Sequence, residues 1–240
     1  MGLVKQCLLV VWTPMIFSSK PLGTIAYLGG IIAVPEPFLW SMVQCIQWCN
    51  EYLCEPGWHI HLDRAKVSYH AYARNSLVER MQGDWLLMLD TDHQFEPDLP
   101  GRLLKRMQDC DMGVISGMYQ MKDPPHVPVM YQRQENGFFA PLGYWEVQTQ
   151  EIGSAGAGCL LVKRGIFDRI RNELGESPFD IIPPFSEDHS FFQRLHKLGI
   201  KAYGAMDVEC NHLQLRPIQL SDFDREAVKL GERYEVGGFV

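Results

Sequence analysis

The sequence predicts an α/β domain built on a largely parallel sheet. Short apolar runs alternate with stretches of helical periodicity through the first half of the chain, and polar residues stand at the ends of the first three runs. The second half changes to hairpin and glycine-rich patterns. The chain has 240 residues, 46% of them hydrophobic and 11% aromatic, which suffices for one substantial core.

"CLLVVW" reads as the first strand, ending at Thr13 and Pro14, and is followed by a long irregular connection in which Leu22 to Val34 reads as a loop over the core. Pro35-Glu36-Pro37 opens a helix with Leu39, Met42, Val43, Ile46, Cys49 and Leu53 at helical spacing on one face. "WHIHLD" is a second strand ending at Asp63. A helix over about 69–81 turns Ala73, Leu77, Val78 and Met81 inward. "WLLMLD" is a third strand, Asp98 starts a helix through Met107, and "MGVISGMYQM" is a fourth strand. In such sheets a ligand lies beyond the carboxyl ends of the strands, where Thr13, Asp63, Asp90 and Asp92 fall.

In the second half, "VPVMYQRQENGFFAPLG" has the alternation and the Asn136-Gly137 turn of a hairpin. "GSAGAGCLLVKRGIFDRI" is a glycine-rich loop, a strand and a helix. "SEDHSFFQRLHKLG" is a helix, "IKAYGAMDVECNH" a last strand, and the tail from Ser221 reads as helical.

The net charge of -7 argues against a dedicated polyanion binder, and Arg102, Lys105 and Arg106 read as a solvated helix face. Seven cysteines, with no CxxC, read as reduced core residues rather than a zinc site or disulfide framework. No signal-peptide cleavage region follows the first apolar run, and Leu22 to Val34 is too short to span a bilayer. A soluble cytoplasmic protein with no transmembrane segment is the expectation.

Several motifs carry chemistry, each with a plain alternative. Asp90 and Asp92 point the same way on an extended chain. Two like charges there call for a divalent cation with oxygen ligands, or belong to a solvated loop. Arg74, in "ARN" with Asn75, suits a diphosphate through its planar fork, or is an ordinary exposed arginine. Asp188 falls on the apolar stripe with Phe191, Phe192 and Leu195, while Glu187 need not. Asp188 is a general base with a tuned pKa, or a helix N-terminal acid favoured by the macrodipole with Ser186 as cap. Gly153, Gly156 and Gly158 permit close backbone approach to a ligand, or make a tight turn. His212 is a metal ligand, or a structural histidine.

The order of these motifs is more specific than any one of them. "ARN" one helix before "LDTDH", then "GAGCLLVKRGIFDRI", then "SEDHSFFQRLHKLG", then a histidine after one more strand, resembles the GT-A glycosyltransferases of the family-2-like group, over roughly Leu8 to His212. The resemblance implies one GT-A domain over 1–240. A Rossmann-like nucleotide-sugar half with a mixed, mainly parallel central sheet (about 1–120) is fused to an acceptor half (121–212) and a tail (213–240).

It also implies site residues. Thr13, Pro14, Asp63, Arg74, Asn75, Asp90, Gly156 and Gly158 would face the donor. Asp92, Asp90 and His212 would hold Mn²⁺ or Mg²⁺. Glu187-Asp188 is the acidic pair of the acceptor helix, with Asp188 as base in inverting members. The second strand end, "HLDRAKV", departs from the usual Asp-Asp-Gly-Ser pattern, which leaves the donor nucleotide open.

The implied activity is metal-dependent transfer, of the EC 2.4 class, from a UDP- or GDP-sugar to an acceptor hydroxyl. A glycan, protein, lipid head group or modified nucleobase is compatible as acceptor. A nucleotidyltransferase-like enzyme is one alternative, although "TPMIFSSKPLGT" lacks the expected density of basic residues. A non-catalytic nucleotide-sugar or glycan-binding module is the other.

Overall fold

The structure is a computed structural model and describes residues 20–29, 34–66, 69–109, 112–143 and 147–214. The strand read at Cys7 to Trp12, its end at Thr13 and Pro14, and the helix read from Ser221 lie outside the described residues.

Eleven strands and five α-helices follow one another along the described chain: β1 Lys20–Gly29, α1 Glu36–Tyr52, β2 Trp58–Lys66, α2 His70–Arg80, β3 Trp85–Asp90, β4 His93–Phe95, α3 Leu99–Asp109, β5 Val114–Met118, β6 Met130–Arg133, β7 Phe139–Pro141, β8 Thr149–Ile152, β9 Ser154–Ala155, β10 Cys159–Lys163, α4 Arg164–Arg169, α5 Glu187–Lys197 and β11 Ala202–His212. The α4 helix runs on into a π-type turn, Ile170–Leu174.

The main sheet has the order β2-β1-β3-β10-β5-β11-β4, with β8 also paired to β11. β1 pairs parallel with β2 and β3, and β5 with β11, while β10 runs against both of its neighbours. Five strands therefore run one way and present their carboxyl ends at one edge. A smaller sheet, β7-β6-β9, contains the expected hairpin. Gly137 turns its corner at φ 82°, in the left-handed region that favours glycine.

The strand alternation divides two cores. Leu86 and Met88 of β3, Leu160 and Val162 of β10, and Val114 of β5 join the core under α2, α4 and α5. Leu87 and Leu89, Cys159 and Leu161, and Ile115 join the core under α1 and α3. This is the period-2 geometry of a sheet covered on both faces. Each fully buried Leu or Phe in these layers contributes about 1.5–3 kcal/mol relative to exposure.

The structure corrects four sequence expectations. The stretch read as a loop from Leu22 contains β1, whose Thr24, Ile25 and Ala26 are fully buried. Thr24 is satisfied there, because its hydroxyl donates to the Gln82 carbonyl at 2.9 Å and accepts the Gln82 amide at 2.7 Å. The buried face of α1 is Phe38, Met42, Cys45 and Cys49, whereas Leu39 and Val43 are exposed. The true stripe is i, i+4, i+7, i+11: it keeps Met42 and Cys49 of the expected face and takes Phe38 and Cys45 in place of Leu39 and Val43.

β2 continues to Lys66, so Asp63 is not at a strand end; it lies opposite Ala26 and pairs with Arg80 at 3.0 Å. Arg102 and Arg106 are not merely solvated. Both reach Asp207 on β11, Arg106 also donates to Thr149, and Lys105 alone makes the local pair, with Asp109. They clamp α3 to the strand that carries His212.

Candidate active site

The site lies at the carboxyl edge of the main sheet, where β3, β5 and β11 end and β10 begins. Arg74, on α2, is 3% exposed. Its guanidinium faces Asp90 at 3.3 Å and Glu187 at 3.4 Å, and donates to the Ala157 carbonyl at 3.0 Å. Burial works against the Arg74 charge, but Asp90 and Glu187 outweigh it, and its pKa is raised. One side chain thereby ties the end of β3, the glycine-rich turn and the start of α5. Neighbouring Asn75 secures the segment before α5: it accepts the Phe179 amide at 2.9 Å and donates to Asp180 at 2.8 Å.

Asp92, His93 and His212 form a second group. β4 pairs antiparallel with the end of β11, and the register sets His212 opposite His93. The ring centroids are 4.7 Å apart, and Tyr119 lies against both. A carbonyl only accepts, so the His93 Nδ1 that meets the Gly158 carbonyl at 3.0 Å carries a proton, as does the His212 Nδ1 at 2.7 Å from the Gln120 carbonyl. In a neutral ring so held, Nε2 is the nitrogen left to accept a proton or a metal. Burial depresses the His93 pKa against the pull of Asp90 and Asp92, which keeps that ring neutral.

His93 Nε2 is buried without a partner, and His212 Nε2 is 3.4 Å from Asp92 Oδ2. One ligand atom from each of Asp92, His93 and His212 lies within 4.8 Å of the others. Two imidazole nitrogens and a carboxylate oxygen, each imidazole oriented by a backbone carbonyl, fit a divalent transition metal. Asp90 is outside this group, turned to Arg74. Asp92 also meets Lys122. Burial tends to raise the Asp92 pKa, but the Lys122 hydrogen bond and charge outweigh it, and it is lowered.

The glycine-rich turn joins the two groups. A Cβ on Gly158 would lie 2.7 Å from His93 Cε1, 2.9 Å from Asp90 Oδ2 and 3.0 Å from the Tyr119 hydroxyl, and one on Gly156 would strike that hydroxyl too. Close approach therefore requires both glycines. Gly158→Ala is expected to lose about 1–3 kcal/mol of stability by overpacking, read as a lower urea midpoint. The Tyr119 hydroxyl accepts the Gly158 amide at 3.2 Å; burial and Asp90 push its pKa well up, so it stays protonated.

Asp188 is half-buried at the start of α5. Its Oδ1 accepts from the Ser186 hydroxyl and from the His189 amide at 2.7 Å. Ser186 is the N-cap residue but makes no side-chain bond to the helix backbone. Phe191, Phe192 and Leu195 are buried as expected, and Glu187 is turned inward by Arg74.

The model of the family described as Glycosyl transferase family 2 matches residues 46–171, just over half of the chain. The chain belongs to this family. The matched segment of the glycosyltransferase carries Arg74, Asp90, Asp92, His93 and Gly158, while α5 and His212 follow it. The α/β architecture, with its mixed sheet of mainly parallel strand direction, is that of the GT-A fold. Among solved structures it is similar to "A197 from STIV", with a TM-score of 0.51 and 16% identity, covering 82% of this chain and 97% of that chain. That likeness is one of fold. A search of curated proteins finds no significant match.

His93, Tyr119 and Lys122 stand in the site beside the residues that the sequence motifs single out. The adjacency of His93 to Asp92 was the available signal for His93. Tyr119 and Lys122 follow a strand and carry no pattern of their own. No helix among the described residues is long and apolar enough to cross a membrane.

Proposed function

We propose that this glycosyltransferase takes a nucleotide-diphosphate sugar, a UDP- or GDP-sugar, as donor, depends on a divalent cation, and transfers the sugar to an acceptor hydroxyl with inversion. We place it in the cytoplasm, with 1–120 as the donor half and 121–212 as the acceptor half. The observation that carries the reading is the buried, unpartnered Nε2 of His93 beside Asp92 and His212. Asp92, His93 and His212 would hold the ion, and the two imidazoles favour Mn²⁺ over Mg²⁺. When bound, the ion supplies positive charge for the leaving diphosphate.

The protein's own groups do the rest. Arg74 holds Asp90 in place, leaving Asp90 to orient the donor from the end of β3. Gly156 and Gly158 keep the backbone low at that point. Asp188, with Oδ1 held by Ser186 and the His189 amide, takes the acceptor proton. Glu187 is committed to Arg74 and positions the start of α5. Binding donor and acceptor in one cleft supplies proximity.

Incubation with UDP-, GDP- and CMP-sugars plus Mn²⁺ is expected to release nucleotide from one donor class, less with Mg²⁺, and Asp92→Ala is expected to abolish release. Mn²⁺ at about 100 times its Kd is expected to raise the wild-type Tm by roughly 5–10 °C. No release from any donor, together with no Mn²⁺-dependent Tm shift, would overturn the proposal.

A further inference from the structure

Asp92 already has a cation. Lys122 Nζ lies 2.5 Å from Asp92 Oδ2, the same oxygen that faces His212 Nε2 at 3.4 Å. A divalent ion bound by Asp92 and His212 would sit beside that ammonium, and two cations at one carboxylate oxygen repel each other. Metal binding and the lysine contact therefore compete for the same atom.

The lysine is built to move without its backbone moving. It rides on the turn after β5, where Gln120 bridges to Pro128, the Met121 amide donates to the Val127 carbonyl at 2.9 Å and His126 adopts φ 56°. Its side chain is 38% exposed on a flexible four-carbon stem. Beside it opens a cavity of about 240 Å³ lined by Lys122, His126 and His212 among others. The ammonium thus has a polar space to enter, next to the metal group, when it leaves Asp92.

We propose that Lys122 is a displaceable counter-cation of the metal centre. It neutralises Asp92 in the metal-free protein, yields Oδ2 to the divalent ion, and swings to the diphosphate of the donor. This rests on the reading of Asp92, His93 and His212 as the metal centre. No bond to Lys122 forms or breaks; one ion pair is exchanged for another. It follows that the protein binds the ion less tightly alone than its ligands allow, and that the donor recovers part of the difference.

Mn²⁺ binding, followed by the EPR signal of the free ion without nucleotide, tests the exchange in wild type, Lys122→Met, Lys122→Arg and Asp92→Ala. Lys122→Met is expected to bind Mn²⁺ about fivefold more tightly than wild type, Lys122→Arg about as wild type, and Asp92→Ala not at all at this site. At saturating Mn²⁺, Lys122→Met is expected to bind UDP or GDP, whichever the donor panel selects, about fivefold more weakly. Equal or weaker Mn²⁺ binding by Lys122→Met, with wild-type binding lost in Asp92→Ala, overturns this inference and leaves the metal centre standing. Tighter Mn²⁺ binding with unchanged nucleotide affinity overturns the move to the diphosphate. Wild-type binding that survives in Asp92→Ala, or no binding by either wild type or Lys122→Met, overturns the metal centre and this inference with it.

Discussion

Arg74→Met is expected to cost about 3 kcal/mol of folding stability, measured as a loss in urea denaturation. The substitution takes from Asp90 and Glu187 the cation they share, and strips the Ala157 carbonyl of its donor. Removing one partner of a buried ion pair costs more than the pair contributes, because the remaining charge is stranded. The value stands at the low end of that range since the Asp90 side chain is 34% exposed and water relieves part of the strain. The damage is expected to spread, because the guanidinium is where α2, the glycine-rich turn and α5 meet. A loss below about 1 kcal/mol, the range of exposed pairs, would show that the three elements hold together without it.

Asp188→Asn is expected to lower kcat for nucleotide release by about 10²- to 10⁴-fold while leaving the donor Kd unchanged. The amide is isosteric and keeps an oxygen that can accept from Ser186 and the His189 amide, so the start of α5 is expected to stay in place. Only the capacity to take a proton is lost. Release at saturating Mn²⁺, set beside a calorimetric titration with the donor, separates the two effects. Wild-type release by Asp188→Asn would remove it from the role of base, and a parallel loss of donor affinity would make it a binding residue.

Most elements were legible where a pattern was local. "WLLMLD" is buried on both faces and reads as an apolar run; the α5 stripe repeats at helical spacing; Asn136-Gly137 announces its turn. β1 is hard to read from the sequence for a physical reason. A central strand has no polar face to alternate with, and here its apolar run is broken by glycine. Gly23 is there because a Cβ would run into the Trp85 ring. The residue that breaks the pattern is the one the packing demands.

The site was legible in part for the same reason. Arg74, Asp90, Asp92, Glu187, Asp188 and His212 each stood out by type or by place in the motif order. What each one touches is set by tertiary geometry. That Arg74 is buried, or that Glu187 turns inward to meet it, follows from the packing of α2 on α5, which no periodicity records. His93 needs His212 to become noticeable, and the two meet only because β4 pairs with the far end of β11.

That pairing makes the histidine couple sensitive to chain length rather than only to residue identity. His93 and His212 share a side of the sheet because they are directly opposed across two antiparallel strands. A one-residue insertion or deletion between Val208 and Asn211 would slide the strands and turn His212 to the other side, although both histidines remained in the sequence. Variation in length can collect at the Asn136-Gly137 corner, while the last stretch of β11 must keep its count.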